Sequence, residues 1–144
     1  MIEKETIWNL TPHISVGVFK FQTSINPLIA KLNLLKLDEK RGEWDEYEIP
    51  GCETLVYADD NGIIEYVACY DNLYYEGKNL FGLKIDEIRK ILGEEGKTGK
   101  TVLFDFKDNE FEKTPIDFEQ WGLDMWFKNE VVESINAYNN LQYT

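Results

Sequence analysis

LVYADDNGIIEYVACYDN, residues 55–72, is the stretch on which the reading of this chain turns. Glu53 to Ala58 and Ile63 to Tyr70 are rich in β-branched and aromatic residues. Between them lies Asp59-Asp60-Asn61-Gly62. Asn-Gly between two such runs is a strong hairpin signal, because both residues tolerate positive φ. The same stretch then returns. LDMWFKNEVVESINAYNN, residues 123–140, aligns on it without a gap. Leu55, Asn61, Glu65, Tyr70 and Asn72 recur as Leu123, Asn129, Glu133, Tyr138 and Asn140, and Ile63, Ile64 and Val67 as Val131, Val132 and Ile135. A second hairpin is therefore expected to turn at Lys128-Asn129-Glu130.

The segments ahead of the hairpins repeat as well. Gly17, Phe21, Ile25, Leu28 and Leu32 fall on Gly77, Phe81, Ile85, Ile88 and Leu92. Such a period points to an architecture built from like units. Leu28, Ile29, Leu32 and Leu35 recur at helical spacing, with Ser24 or Asn26 as a cap and Pro27 in the first turn. A helix is expected over Asn26–Lys36. A second is expected over Ile85–Leu92, with Gly93 as its C-terminal stop. Strands are expected at Ile14–Phe21, Trp44–Ile49, Thr101–Phe106, Ile116–Phe118, Gly122–Phe127 and Val131–Tyr138. Asp71–Gly77 reads as a linker, Lys107–Lys113 as a charged mobile loop and Asn139–Thr144 as a tail. The fold class is α+β: two tandem helix-plus-antiparallel-meander units, about 14–72 and 77–140. They form a single domain over 1–144 with the helices on one face of the sheet.

The chain has 144 residues, enough to bury a core without disulfides. Its 15 Lys+Arg stand against 27 Asp+Glu, a formal net charge of −12. That field repels nucleic acid and anionic membranes and favours basic partners. Met1–Trp8 has no basic stretch followed by an apolar run, and no segment approaches membrane-spanning length, so a cytoplasmic protein is expected. Cys52 and Cys69 make neither a disulfide framework nor a zinc site, and are read as reduced thiols.

The chemistry-bearing residues are sparse. His13, the one histidine, stands far in sequence from both cysteines and reads as a surface or strand-edge residue. Asp59-Asp60-Asn61 lacks the spacing of a calcium loop and suits a turn. Gly93–Lys100 lacks phosphate-loop spacing and follows a helix where a strand is needed. No metal or organic cofactor is expected. Two clusters mix aromatics with acids, the combination that binds basic surfaces tightly. They supply the candidate partner-binding residues Trp44, Asp45, Tyr47, Asp71, Tyr74 and Tyr75.

The paired segments and hairpins give the chain a resemblance to the β-lactamase-inhibitor-protein and small outer-membrane-lipoprotein group. In that group two units each place a helix ahead of an antiparallel sheet. The resemblance implies a sheet face that binds a protein. The lipidated cysteine of the lipoproteins has no counterpart here. In size and composition the chain is also similar to bacterial toxin-immunity proteins. Together these imply a non-enzymatic inhibitor of a basic toxin or nuclease domain. The alternatives are a structural or adaptor protein, and a small-molecule binder or hydrolase that uses paired carboxylates.

Overall fold

Alternating apolar and polar residues from Leu123 to Lys128 bury Leu123, Met125 and Phe127 and leave Asp124, Trp126 and Lys128 half-exposed. A strand that alternates in this way belongs to a sheet with one face on the core. The computed structural model describes residues 8–38, 40, 42–106 and 109–140. Its strands, in chain order, are β1 (Leu10–Thr11), β2 (Ser15–Val16), β3 (Phe19–Lys20), β4 (Leu35–Lys36), β5 (Asp45–Glu48), β6 (Leu55–Ala58), β7 (Ile64–Cys69), β8 (Tyr74–Tyr75), β9 (Lys78–Asn79), β10 (Lys97–Thr98), β11 (Val102–Phe106), β12 (Asn109–Phe118), β13 (Leu123–Lys128) and β14 (Val131–Tyr138). Its helices are α1 (Asn26–Leu32) and α2 (Ile85–Leu92). The described residues thus make a sheet-rich α+β fold, with these two short helices beside the strands.

One antiparallel sheet dominates, in the order β10-β12-β13-β14-β7-β6-β5-β4, with β11 also on β12. The first and last hairpins meet at its centre. There Val67 faces Ala137, Ala68 faces Asn136 and Cys69 faces Ile135. Exchanging each residue for its aligned counterpart swaps the outer two pairs and returns Ala68–Asn136 to itself. The helices enter alike. Ile25 N–H donates to Gly62 O and Ile85 N–H to Glu130 O; Ile64 N–H donates to Thr23 O and Val132 N–H to Leu83 O. β1–β3 and β8–β9 form two small separate sheets.

The alignment slips by one residue ahead of the turns. Tyr66 faces Tyr57, whereas its counterpart Ser134 faces Trp126. Leu55, Val56, Tyr57 and Ala58 therefore correspond in space to Asp124, Met125, Trp126 and Phe127. The turns explain the slip. Asn129 and Glu130 alone, both at positive φ, join Lys128 to Val131. The first loop spans 59–63 and only Gly62 has positive φ, so Asn61 does not take the left-handed conformation expected of it. Asp59 Oδ1 accepts from the N–H groups of Asn61 and Ile63 instead, which accounts for this acidic turn.

Other expectations need correction. α1 ends at Leu32, not Lys36, because Asn33 takes the left-handed conformation and Leu34 N–H closes on Ile29 O. Leu35–Lys36 then pair with β5. The expected strand Ile14–Phe21 is a two-strand turn about Gly17 (φ 56°). The linker Asp71–Gly77 contains β8. Asn109–Lys113 is strand, not loop: Phe111 stacks on Phe104 across the ladder, and Lys113 and Lys128 lie over the Phe111 ring. Residues 107 and 108, and 141–144 of the expected tail, lie outside the described residues. Opposite β12, the edge is split into β10 and β11 across Pro115, which has no N–H to give a ladder.

The core gathers Trp8, Phe19, Ile25, Ile64, Leu73, Leu80, Ile88, Ile116, Phe118, Leu123, Met125 and Phe127, all essentially inaccessible. His13 is no surface residue. It is 8% exposed; its Nε2 donates to Gln120 O and its Nδ1 accepts from Asn140 N–H, so it ties the β12–β13 turn to the end of β14. Cys69 is buried, and burial pushes its thiol well up, consistent with an inert core thiol. Among the described residues no helix is long and apolar enough to cross a membrane.

Candidate functional site

The sheet face turned away from the core follows from register. Directly opposed residues share a face, so Lys97, Asp117, Asp124, Asn136, Ala68, Leu55 and Glu48 make one row across the sheet. Tyr138, Tyr66, Tyr57 and Glu46 make the next. Tyr57 and Tyr66 stack with centroids 4.2 Å apart, and Trp44 meets Tyr66 edge-on at 5.2 Å. Two open clefts result, with Tyr66 and Asn136 between them. One, of about 340 Å³, is lined by Trp44, Tyr66, Asp117, Asp124, Asn136 and Tyr138. The other, of about 310 Å³, adds Glu46, Leu55, Tyr57 and Tyr70.

Hydrogen bonds fix the polar groups. Tyr138 Oη donates to Asp117 Oδ1 at 2.7 Å, and the Asn136 side chain bonds Asp124. Tyr57 Oη donates to the buried Glu46 carboxylate. Burial, then the bond to Glu46, pushes the Tyr57 hydroxyl well up; burial and Asp117 do the same to Tyr138. Both remain donors throughout the physiological range. Asp124 also lies above the ordinary carboxylate range, chiefly through burial and then through the charge of Asp117; the Asn136 bond opposes this without cancelling it.

That shift has a consequence for stability. Ionised Asp124 is less favourable in the folded chain than in the unfolded one. Stability is therefore lost as pH rises from the ordinary carboxylate range through the raised folded value. Asp124→Asn should remove this loss. We expect the variant to be more stable by about 0.5–1 kcal/mol at neutral pH, the scale of a like-charge cross-strand pair. The gain should vanish by about pH 3.5, where the parent's carboxyl is also protonated. Urea midpoints at the two pH values measure it. A variant no more stable than the parent at neutral pH would show that the pair is not strained.

Of the six residues expected from sequence, only Trp44 lies in this constellation. Side chains alternate along β5, so Asp45 and Tyr47 face the opposite way from Glu46. Tyr47, expected at the surface, is 5% exposed and belongs to the core. Asp45 pairs with Lys36 at 3.5 Å. Tyr74 and Tyr75 pair with β9 and pack partly on the core, with Tyr75 edge-on to Trp121 at 4.9 Å. Asp71 lies beyond the end of β7 with Oδ1 buried. Composition does not point to Tyr66, Asp117, Asp124, Asn136 or Tyr138, although alternation along Gly122–Phe127 and Val131–Tyr138 marks three of them as facing away from the core. Among the described residues no group of three His, Cys, Asp or Glu is arranged to hold a metal ion. Comparison with family models, with curated proteins and with solved structures returns no match.

Proposed function

We propose that this protein is a non-enzymatic binder that engages a basic protein through its open sheet face, as an immunity-type inhibitor engages a toxin or nuclease domain. One observation carries the reading: Trp44, Tyr66 and Tyr138 line one open cleft together with Asp117 and Asp124. Aromatic rings supply affinity at little entropic cost, and carboxylates replace the phosphate charge that a nuclease site expects. The net charge of −12 would speed the encounter. We further read the chain as two like units that join edge to edge about Ala68 and Asn136, with the helices on the core side. The matched helix-entry hydrogen bonds and the exchangeable central register support this.

A photo-crosslinking phenylalanine analogue at position 44, in the native host, tests the reading. Position 44 should yield a basic protein, and the same analogue at the exposed position Lys90 on α2 should not. The association rate of that partner should fall as salt rises. An acidic partner, equal yields at both positions or a rate indifferent to salt would reject the proposal. A carboxylate-dependent hydrolase is the second reading, because Asp117 and Asp124 are directly opposed carboxyls in one open cleft. Turnover of chromogenic glycosides, abolished by Asp117→Asn, would favour it instead.

A further inference from the structure

We infer that the cleft on the open face takes an arginine side chain, its guanidinium held by Asp117 and Asp124 and flanked by the rings of Trp44 and Tyr66. The inference rests on the reading of this face as a binding surface and names the group that it recognises.

The two carboxylates stand directly opposite each other on β12 and β13. Like charges so placed destabilise a sheet. Asp117 has Lys97 directly opposite on its other side, on β10, where Lys97 also pairs with Glu119. Among the described residues no ion pair reaches Asp124, since Lys36 pairs with Asp45 and Lys113 with Glu133. The fold does not require the arrangement. In the matching hairpin Leu55 occupies the place of Asp124, faces Ala68 as Asp124 faces Asn136, and fits the same sheet. Asp124 is thus an acid where an apolar residue suffices, with a second acid beside it.

The surroundings select among cations. Tyr138 and Asn136 hold the two carboxyl groups in place through hydrogen bonds. Trp44 and Tyr66 line the cleft with their rings at 89° to each other, so a cation there can lie on the face of one of them. A guanidinium is planar, weakly hydrated, stacks on aromatic faces and carries five N–H donors, enough to serve two carboxylates at once. A lysine ammonium is a compact, strongly hydrated charge with three donors, and loses more on entering an aromatic site. The opening of about 340 Å³ admits a side chain and is too small for a folded element.

The test is an NMR titration of the full chain with Nα-acetyl-arginine amide, set against Nα-acetyl-lysine amide. Arginine amide should shift the Trp44 indole, the Asn136 side-chain amide and the Tyr66 ring, and should bind at least about fivefold more tightly than lysine amide. Asp117→Asn and Asp124→Asn should each weaken it by about tenfold, the scale of one charge-assisted hydrogen bond. Asp45→Asn removes the same charge from the opposite face and should leave it unchanged. Thermal melts establish that each variant is folded. Equal affinity for the two amides, shifts scattered over the surface, or equal weakening by Asp45→Asn would overturn the inference. A basic partner that crosslinks at position 44 yet binds Asp124→Asn undiminished would overturn it while leaving the binding face intact. Saturable arginine-selective binding without any basic partner would uphold the cleft and reject the inhibitor reading.

Discussion

Gly122→Ala is expected to destabilise the protein by about 3 kcal/mol, a fall of about 10 °C in Tm for a chain of this size. Gly122 sits at φ +64°, where an L side chain is strained. Strain alone accounts for about 1 kcal/mol. Most of the cost is steric. A Cβ built there lies 2.2 Å from Tyr138 O and 3.0 Å from His13 Nδ1. Tyr138 O cannot withdraw alone, because Tyr138 N–H donates to Gly122 O at 2.8 Å and fixes the two backbones together. His13 is held between Gln120 and Asn140. The change would pry the start of β13 from the end of β14 and disturb the row that contains Asp124 and Asn136. Gly51→Ala is the control. Gly51 has φ +77° but nothing within 4 Å of its added Cβ, so strain is its whole penalty. Urea denaturation of both variants separates backbone strain from steric collision. If Gly51→Ala costs as much as Gly122→Ala, the contact with Tyr138 is not what reserves position 122 for glycine.

The same region shows why some of this molecule can be read from sequence and some cannot. Hairpins and helices announce themselves locally. Asp59–Gly62 and Lys128–Glu130 turn where their residues favour turning, and Ile85–Leu92 is helix from end to end as the spacing implies. Local signals fail where a distant partner decides. Leu35 continues an apolar helical stripe, yet Asn33 stops the helix and β5 claims Leu35–Lys36. Asn109–Lys113 is too charged to look like a strand, and pairing with β11 makes it one. The site suffers most. Trp44, Asp45 and Tyr47 are adjacent in sequence and compositionally alike, but strand alternation sends Trp44 to one side and Asp45 and Tyr47 to the other. Asp117, Asp124, Asn136 and Tyr66 come from four strands, so no window of sequence contains them. Their juxtaposition is a property of register, and a one-residue error in register reverses a strand's faces. The slip that sets Leu55 opposite Ala68 is an error of that size, hidden inside an alignment that looks gap-free.

Tyr66→Ala should weaken binding of the basic partner by about 2 kcal/mol or more, the loss typical of a central aromatic anchor. Tyr66 separates the two clefts and touches both neighbouring rings, Tyr57 by stacking and Trp44 edge-on. Removing it takes away contact area and also unseats Trp44, so the effect should exceed that of an isolated ring. The folded state should lose about 1–2 kcal/mol as well, since two aromatic contacts vanish. Binding must therefore be measured at a temperature and urea concentration where the variant is fully folded. Tyr66→Phe keeps both ring contacts and should retain most of the affinity. The kinetics should divide by chemistry. Loss of the ring should act on the dissociation rate, because a packed contact forms after encounter. Glu43→Gln, at an exposed position near the rim, should lower the association rate at low salt and change little once salt screens it. Tyr75→Ala removes an equally large ring that rests against Trp121 rather than on the open face, and should leave affinity nearly unchanged. A Tyr75 loss equal to that of Tyr66 would move the interface to the β8–β9 hairpin. It would restore the tyrosine-rich segment that the sequence first suggests, at the expense of the sheet face.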